Sequence, residues 1–101
     1  MRLLVFFDLP VGTEKDRREY RKFRKYLVKN GFLMVQESVY CKLVQNATVG
    51  DALCENIRKN KPPAGLVQLL KVTEKQYSKM DFIVGTSQKE ILDSDERLVI
   101  L

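Results

Sequence analysis

The run Leu3-Leu4-Val5-Phe6-Phe7-Asp8-Leu9-Pro10 constrains this chain more than any other stretch. Five consecutive apolar, β-prone residues make a buried strand, and the carboxylate of Asp8 stands at its end. Pro10 follows two residues later and stops further sheet pairing, because it has no N–H to give to a ladder. An acid carried to the end of a buried strand is held rigidly at a surface. A helix with eight Lys or Arg residues follows directly. One fixed acid beside a field of cations suits metal-assisted phosphate chemistry. It is equally what an ordinary strand–turn–helix contains.

The rest of the chain sorts into short elements. Pro10-Val11-Gly12 turns the chain, and Thr13 is placed to cap a helix whose positive end suits Glu14 and Asp16. That helix runs to about Asn30, where Asn30-Gly31 offers a left-handed stop. Tyr20, Phe23 and Leu27 fall on one face at i, i+3 and i+7. Phe32-Leu33-Met34-Val35 and Ser38 to Val44 form either a tight hairpin or one long strand with a bulge near Gln36-Glu37. A second helix spans roughly Thr48 to Asn60, with Leu53, Ile57 and Ala52 as its inward stripe, and Lys61-Pro62-Pro63 ends it. Leu66 to Thr73 reads as a strand. Thr73-Glu74-Lys75-Gln76 has capping-box spacing for a short helix to about Met80. Phe82-Ile83-Val84 reads as another strand, and a polar stretch from Gly85 to Glu96 leads to a last apolar run, Leu98-Val99-Ile100-Leu101.

Strand, helix, strand, strand, helix, strand is the order of a ferredoxin-like α+β fold, with helices on one face of an antiparallel sheet. Residues 1–84 are expected to form this core, and residues 85–101 a polar tether and a C-terminal strand within the same single domain. Four apolar residues at the end of a polar tether are costly to expose. They pair either with the chain's own sheet edge or with a partner's, and the reading favours exchange with a partner in a homodimer. A chain of 101 residues builds only a modest core, which oligomerisation would support.

Composition limits the chemistry. The formal net charge is +5, which favours an anionic partner. Histidine is absent from the chain. The commonest general base, imidazole metal ligands and any Cys–His or Ser–His pair are therefore excluded, and catalysis must use carboxylates, a metal, or Lys, Tyr and Arg. Cys41 and Cys54 lack metal-ligand spacing and read as two small thiols in a reducing cytosol. No apolar stretch is long enough to span a bilayer and the start has no signal-peptide pattern, so a cytoplasmic location is expected.

Two features carry a candidate function. On a helical wheel Lys15, Arg18, Arg21, Lys22, Lys25 and Lys29 cluster opposite the Tyr20/Phe23/Leu27 face. Such a face is either solvated surface or a phosphate-binding one. Arg17, Arg21 and Arg24 lie along the edge between core and basic face, from which guanidiniums can reach phosphates or the acid at the strand end. There is no recognition-helix or RNA-binding motif, which leaves sequence-independent duplex binding through phosphates, with Lys15, Arg17, Arg18, Arg21, Lys22, Arg24 and Lys25 as the binding residues. The second feature is Asp8. One carboxylate holds Mg²⁺ poorly, whereas a two-fold dimer supplies two and can then hold a metal and activate water for phosphodiester hydrolysis. Without a metal two such acids repel. Asp93, Asp95 and Glu96 read as tether residues, and Ser38 as a strand serine able to donate to a phosphate.

In order, Phe6-Phe7-Asp8-Leu9-Pro10, Tyr20-Arg21-Lys22-Phe23-Arg24-Lys25-Tyr26-Leu27, Gly31-Phe32, Gln36-Glu37-Ser38-Val39-Tyr40 and Asp95-Glu96-Arg97-Leu98-Val99-Ile100 together resemble the small ferredoxin-like CRISPR-associated "Cas-two" family. The spelling is closest to members from type II systems. The resemblance implies a symmetric homodimer whose C-terminal strands, here Leu98, Val99, Ile100 and Leu101, cross to the partner's sheet. It implies that Asp8 is the family's catalytic, metal-binding aspartate, with Mg²⁺ or Mn²⁺ as the ion. It also implies a role in CRISPR adaptation, with the dimer held between integrase subunits and prespacer duplex DNA on its basic surfaces. The family's activity is Mg²⁺-dependent endonuclease cleavage of single-stranded RNA or duplex DNA. A non-catalytic DNA-binding scaffold is the alternative within that frame. A small-molecule-sensing ferredoxin-like regulatory dimer is the alternative outside it, disfavoured by the basic helix and the lack of a Gly-rich effector loop.

Overall fold

The computed structural model describes residues 1–86. Its elements are β1 (Arg2–Asp8), α1 (Glu14–Lys29), β2 (Leu33–Gln36), β3 (Val39–Leu43), α2 (Ala47–Lys59), β4 (Leu66–Val72) and α3 (Glu74–Ser78). The strands form one antiparallel sheet in the order β2-β3-β1-β4. This is the expected ferredoxin-like α+β fold. Its first strand lies between β3 and β4, so both sides of β1 are paired.

Alternation along β1 decides where the core forms. Leu3, Val5 and Phe7 point to one face and are buried together with Phe23 and Leu27 of α1 and Cys54 and Ile57 of α2. The Phe7 ring sits at the centre, edge-on to Tyr20 and Phe23 at 5.8 and 5.4 Å and stacked on Tyr40 at 5.6 Å. Burying each such side chain contributes about 1.5–3 kcal/mol.

Local chemistry sets the ends of α1. The Thr13 hydroxyl accepts from the Asp16 N–H while the Asp16 carboxylate accepts from the Thr13 N–H, closing a capping box. At the other end Gly31 takes φ +89°, the Gly31 N–H reaches the Val28 carbonyl, and the Phe32 N–H reaches that of Leu27. This is a Schellman ending. A residue with a Cβ adopts that φ only with strain, and the buried Phe32 ring seals the turn against the core.

The structure resolves one open choice and corrects two expectations. Residues 33–43 form a hairpin turning at Glu37-Ser38, and the β2–β3 register also shifts between Met34 and Gln36. In α2 the inward stripe is Gly50, Cys54 and Ile57, at i, i+4 and i+7; Leu53 is half-buried, and Ala52 is exposed because it faces away from the sheet. Phe82-Ile83-Val84 is not a strand. All three are exposed, Ile83 at 84% and Val84 at 91%, and β4 already occupies the position beside β1. The expected C-terminal strand Leu98–Leu101 and the acids Asp93, Asp95 and Glu96 lie outside the described residues. Among the described residues, no helix is long and apolar enough to cross a membrane.

Among the described residues, no long helix covers the second face of the sheet. Arg2, Leu4, Phe6 and Asp8 project there, beside Val39, Cys41 and Leu43 of β3 and Leu66, Gln68, Leu70 and Val72 of β4. At one end the Arg2 guanidinium lies 4.3 Å over the Tyr77 ring of α3 and bonds Glu74 at 2.8 Å, where Leu4 and Cys41 are buried. Toward the other end and the rims the face is open and apolar, with Leu33, Leu43, Leu66 and Leu70 all exposed.

Candidate nucleic-acid and metal site

Asp8 is the last residue of β1 and is exposed. Its neighbours on both sides of the chain, Phe7 and Leu9, are buried in the core. Among the described residues only β4 flanks it in the ladder, through the pair Asp8–Leu66, because β3 pairing ends at Phe6–Val39. One more bond, from the Phe7 N–H to the Ser38 carbonyl at 3.1 Å, brings the hairpin turn beside the strand end. The half-buried Ser38 is thus at the same end of the sheet as Asp8. Among the described residues the Asp8 carboxylate joins no ion pair or side-chain hydrogen bond.

Among the described residues, Asp8 could serve as a ligand of Mg²⁺. Among the described residues, no group of three or more His, Cys, Asp or Glu side chains comes together. Mg²⁺ is commonly held by one or two carboxylates, completing its shell with water and substrate phosphate oxygens. An exposed, unengaged Asp8 is what one half of such a site needs.

The basic residues of α1 divide into two sets. Arg17 donates to Glu14 at 3.2 Å and to the Val11 carbonyl at 3.1 Å, and Arg21 donates to Glu14 at 3.4 Å. Both guanidiniums are therefore engaged at the start of the helix and do not reach Asp8. Glu14 thus neutralises part of the cluster. Lys15, Arg18, Lys22, Arg24, Lys25 and Lys29 are exposed and enter no ion pair among the described residues. At 100° per residue, all of these except Arg24 fall within about 80° of arc, a row along the helix's solvent side.

Tyr26 fixes this face against the rest of the molecule. Its hydroxyl donates to the Asn56 side chain of α2, and its ring stacks on Phe23. Burial pushes the Tyr26 phenol above its ordinary pKa, partly countered by Asn60. The row of cations therefore stands on the helical layer, while Asp8 belongs to the opposite sheet face. Gly65, which packs against the Asp8 backbone, was not anticipated; its one signal was its place in Pro62-Pro63-Ala64-Gly65, just before a strand.

Comparison with known proteins agrees with this architecture. The family model for CRISPR associated protein Cas2 matches residues 1–80. The "CRISPR-associated endoribonuclease Cas2" of Treponema denticola is 59% identical over 101 residues, covering all of both chains. The protein of the same name from Lacticaseibacillus rhamnosus is 48% identical, again over all of both chains. That from Streptococcus mutans UA159 is 44% identical over all of this chain and 93% of its own. This chain belongs to the Cas2 family of CRISPR associated proteins.

Proposed function

We propose that this chain works as a symmetric homodimer that binds duplex nucleic acid along α1 and cleaves phosphodiester bonds with its two Asp8 carboxylates. The observation that carries this reading is the position of Asp8 on the open apolar sheet face. Covering Leu33, Leu43, Leu66 and Leu70 with the same face of a second copy removes exposed apolar surface and brings the second carboxylate toward the first. The pair would hold one Mg²⁺ or Mn²⁺, which when bound stabilises charge on phosphate oxygens and lowers the pKa of water. Asp8 would orient that ion, and the Ser38 hydroxyl would be able to give a hydrogen bond to the phosphate. The relatives' name, endoribonuclease, supports phosphodiester cleavage. In the cell the dimer serves CRISPR adaptation in the cytoplasm, holding prespacer duplex against the integrase subunit.

Mg²⁺-dependent cleavage of single-stranded RNA and duplex DNA by the wild type and Asp8→Ala tests the catalytic part. We expect Asp8→Ala to lose cleavage while keeping its fold, since Asp8 is exposed and, among the described residues, its carboxylate enters no ion pair. Equal cleavage by the two proteins refutes the Asp8 mechanism. A second reading, a non-catalytic scaffold, is favoured by the separation of the cation row from the Asp8 face. Under it Asp8→Ala still supports spacer integration.

A further inference from the structure

We infer that Gly65 is the positioning residue for Asp8, because it lets two backbone segments meet where a side chain would push the acid off its direction. The inference rests on the reading of Asp8 as the metal-holding acid. Gly65 immediately precedes β4 and takes φ +95°, a left-handed conformation that disfavours residues with a Cβ. A Cβ built there stands 2.7 Å from the Asp8 carbonyl oxygen, 3.0 Å from the Leu9 Cα and 2.8 Å from the Leu9 Cδ2. Two of these three atoms are backbone, and the third belongs to a buried side chain, so none yields by a simple rotamer change.

The strand end has little else to absorb such a push. β3 no longer pairs at Asp8, leaving the Asp8–Leu66 pair as the ladder contact there. Leu9 plugs the core just beyond. Opening 2.7 Å to the 3.4 Å of an ordinary contact requires about 0.7 Å of movement, taken up by the Asp8–Leu9 peptide. That movement redirects the Asp8 Cα–Cβ bond. Misplacing a reacting group by about 1 Å can lower rates about 10²-fold. Two acids sharing an ion across a two-fold axis are both displaced at once by one substitution.

Gly31 supplies an internal comparison. It also has positive φ, +89°, yet the nearest atoms to a Cβ there belong to the end of the Lys42 side chain, at 3.0 Å, and not to the backbone. Gly31→Ala therefore strains the backbone without touching Asp8. Gly65→Asn keeps the Cβ but lowers the conformational penalty, since Asn visits the left-handed region more readily. It preserves a folded protein if Gly65→Ala does not fold.

The test uses the full chain, with Mn²⁺ alone as the binding probe, followed by loss of the free-ion electron paramagnetic resonance signal. Mg²⁺-dependent cleavage per folded protein is the second readout. We expect Gly65→Ala and Gly65→Asn to weaken Mn²⁺ binding about tenfold or more and to slow cleavage. Gly31→Ala should bind Mn²⁺ and cleave like the wild type. Loss of Mn²⁺ binding in Asp8→Ala but not in the Gly65 variants overturns this inference and leaves the reading of Asp8 standing. Equal loss in Gly31→Ala and the Gly65 variants also overturns it, by reducing it to general strain. Unchanged Mn²⁺ binding and cleavage in Asp8→Ala overturns the reading itself and the inference with it.

Discussion

Replacing Arg18, Lys22 and Lys25 together by Gln removes three cations from the row on α1 that enter no ion pair among the described residues, leaving the Glu14–Arg17–Arg21 group intact. If each contacts a duplex phosphate, the slope of log affinity against log salt becomes shallower by about 0.9 per contact, or about 2.7 for each chain bound. Salt rising from about 50 to about 200 mM spans about 0.6 of a decade, so the affinity lost over that range should shrink by about 40-fold. Fluorescence anisotropy of a labelled 30-base-pair duplex of arbitrary sequence, repeated across that range, measures this (the length is about three helical turns). The fold should be unchanged, because all three side chains are exposed. Arg17→Gln with Arg21→Gln provides the contrast. Those guanidiniums already share Glu14, so the double substitution should flatten the slope by less than about 1.8. An unchanged slope in the triple variant refutes α1 as the duplex-binding surface. An equal effect per residue in both variants refutes the division of the helix into free and engaged cations.

Other perturbations probe the fold and the open face. Leu43→Lys with Leu70→Lys places charges on the exposed sheet face, and sedimentation should show a shift toward monomer; an unchanged mass rules that face out as the dimer contact. Leu27→Ala empties a fully buried position between α1 and the sheet and should cost about 2–5 kcal/mol in urea unfolding. Burial is the leading cause of the raised pKa values of Tyr26 and Tyr77. A phenol pKa raised in the folded state contributes stability that is present below the unfolded value, near 10, and is lost as pH rises through the folded value. Unfolding midpoints should therefore fall above about pH 10, and less so in Tyr26→Phe with Tyr77→Phe.

Much of this architecture could be read from short-range pattern. The apolar run of β1, the 3.6-residue spacing of Tyr20, Phe23 and Leu27, and the caps at Thr13 and Thr73 are local signals, and each element formed where its signal placed it. The misreadings share a cause: they needed a partner elsewhere in the chain. Phe82-Ile83-Val84 has strand composition, but composition does not reveal whether a sheet edge remains available. Ala52 and Cys54 are both small and apolar, and only the angle at which α2 meets the sheet selects Cys54. Asp8 was readable because a carboxylate ending an apolar run is conspicuous. Its surroundings were not: the capture of Arg17 and Arg21 by Glu14 depends on rotamers, and the demand on Gly65 comes from a carbonyl far earlier in the chain.

The central place of β1 also shapes how the chain reaches its fold. Among the described strands the first made is completed only together with β4, because it cannot be flanked on both sides until β4 arrives and Arg2 meets Glu74, 72 positions later. Pairing across such a separation closes a large loop before it is rewarded, which slows folding relative to a helical bundle of this size. A nascent or truncated chain ending before Leu66 can carry the entire cationic helix and still have an unanchored Asp8. With the roles proposed for α1 and Asp8, competence to bind nucleic acid would then precede competence to cut it during synthesis, an order that time-resolved refolding with paired binding and cleavage readouts would reveal.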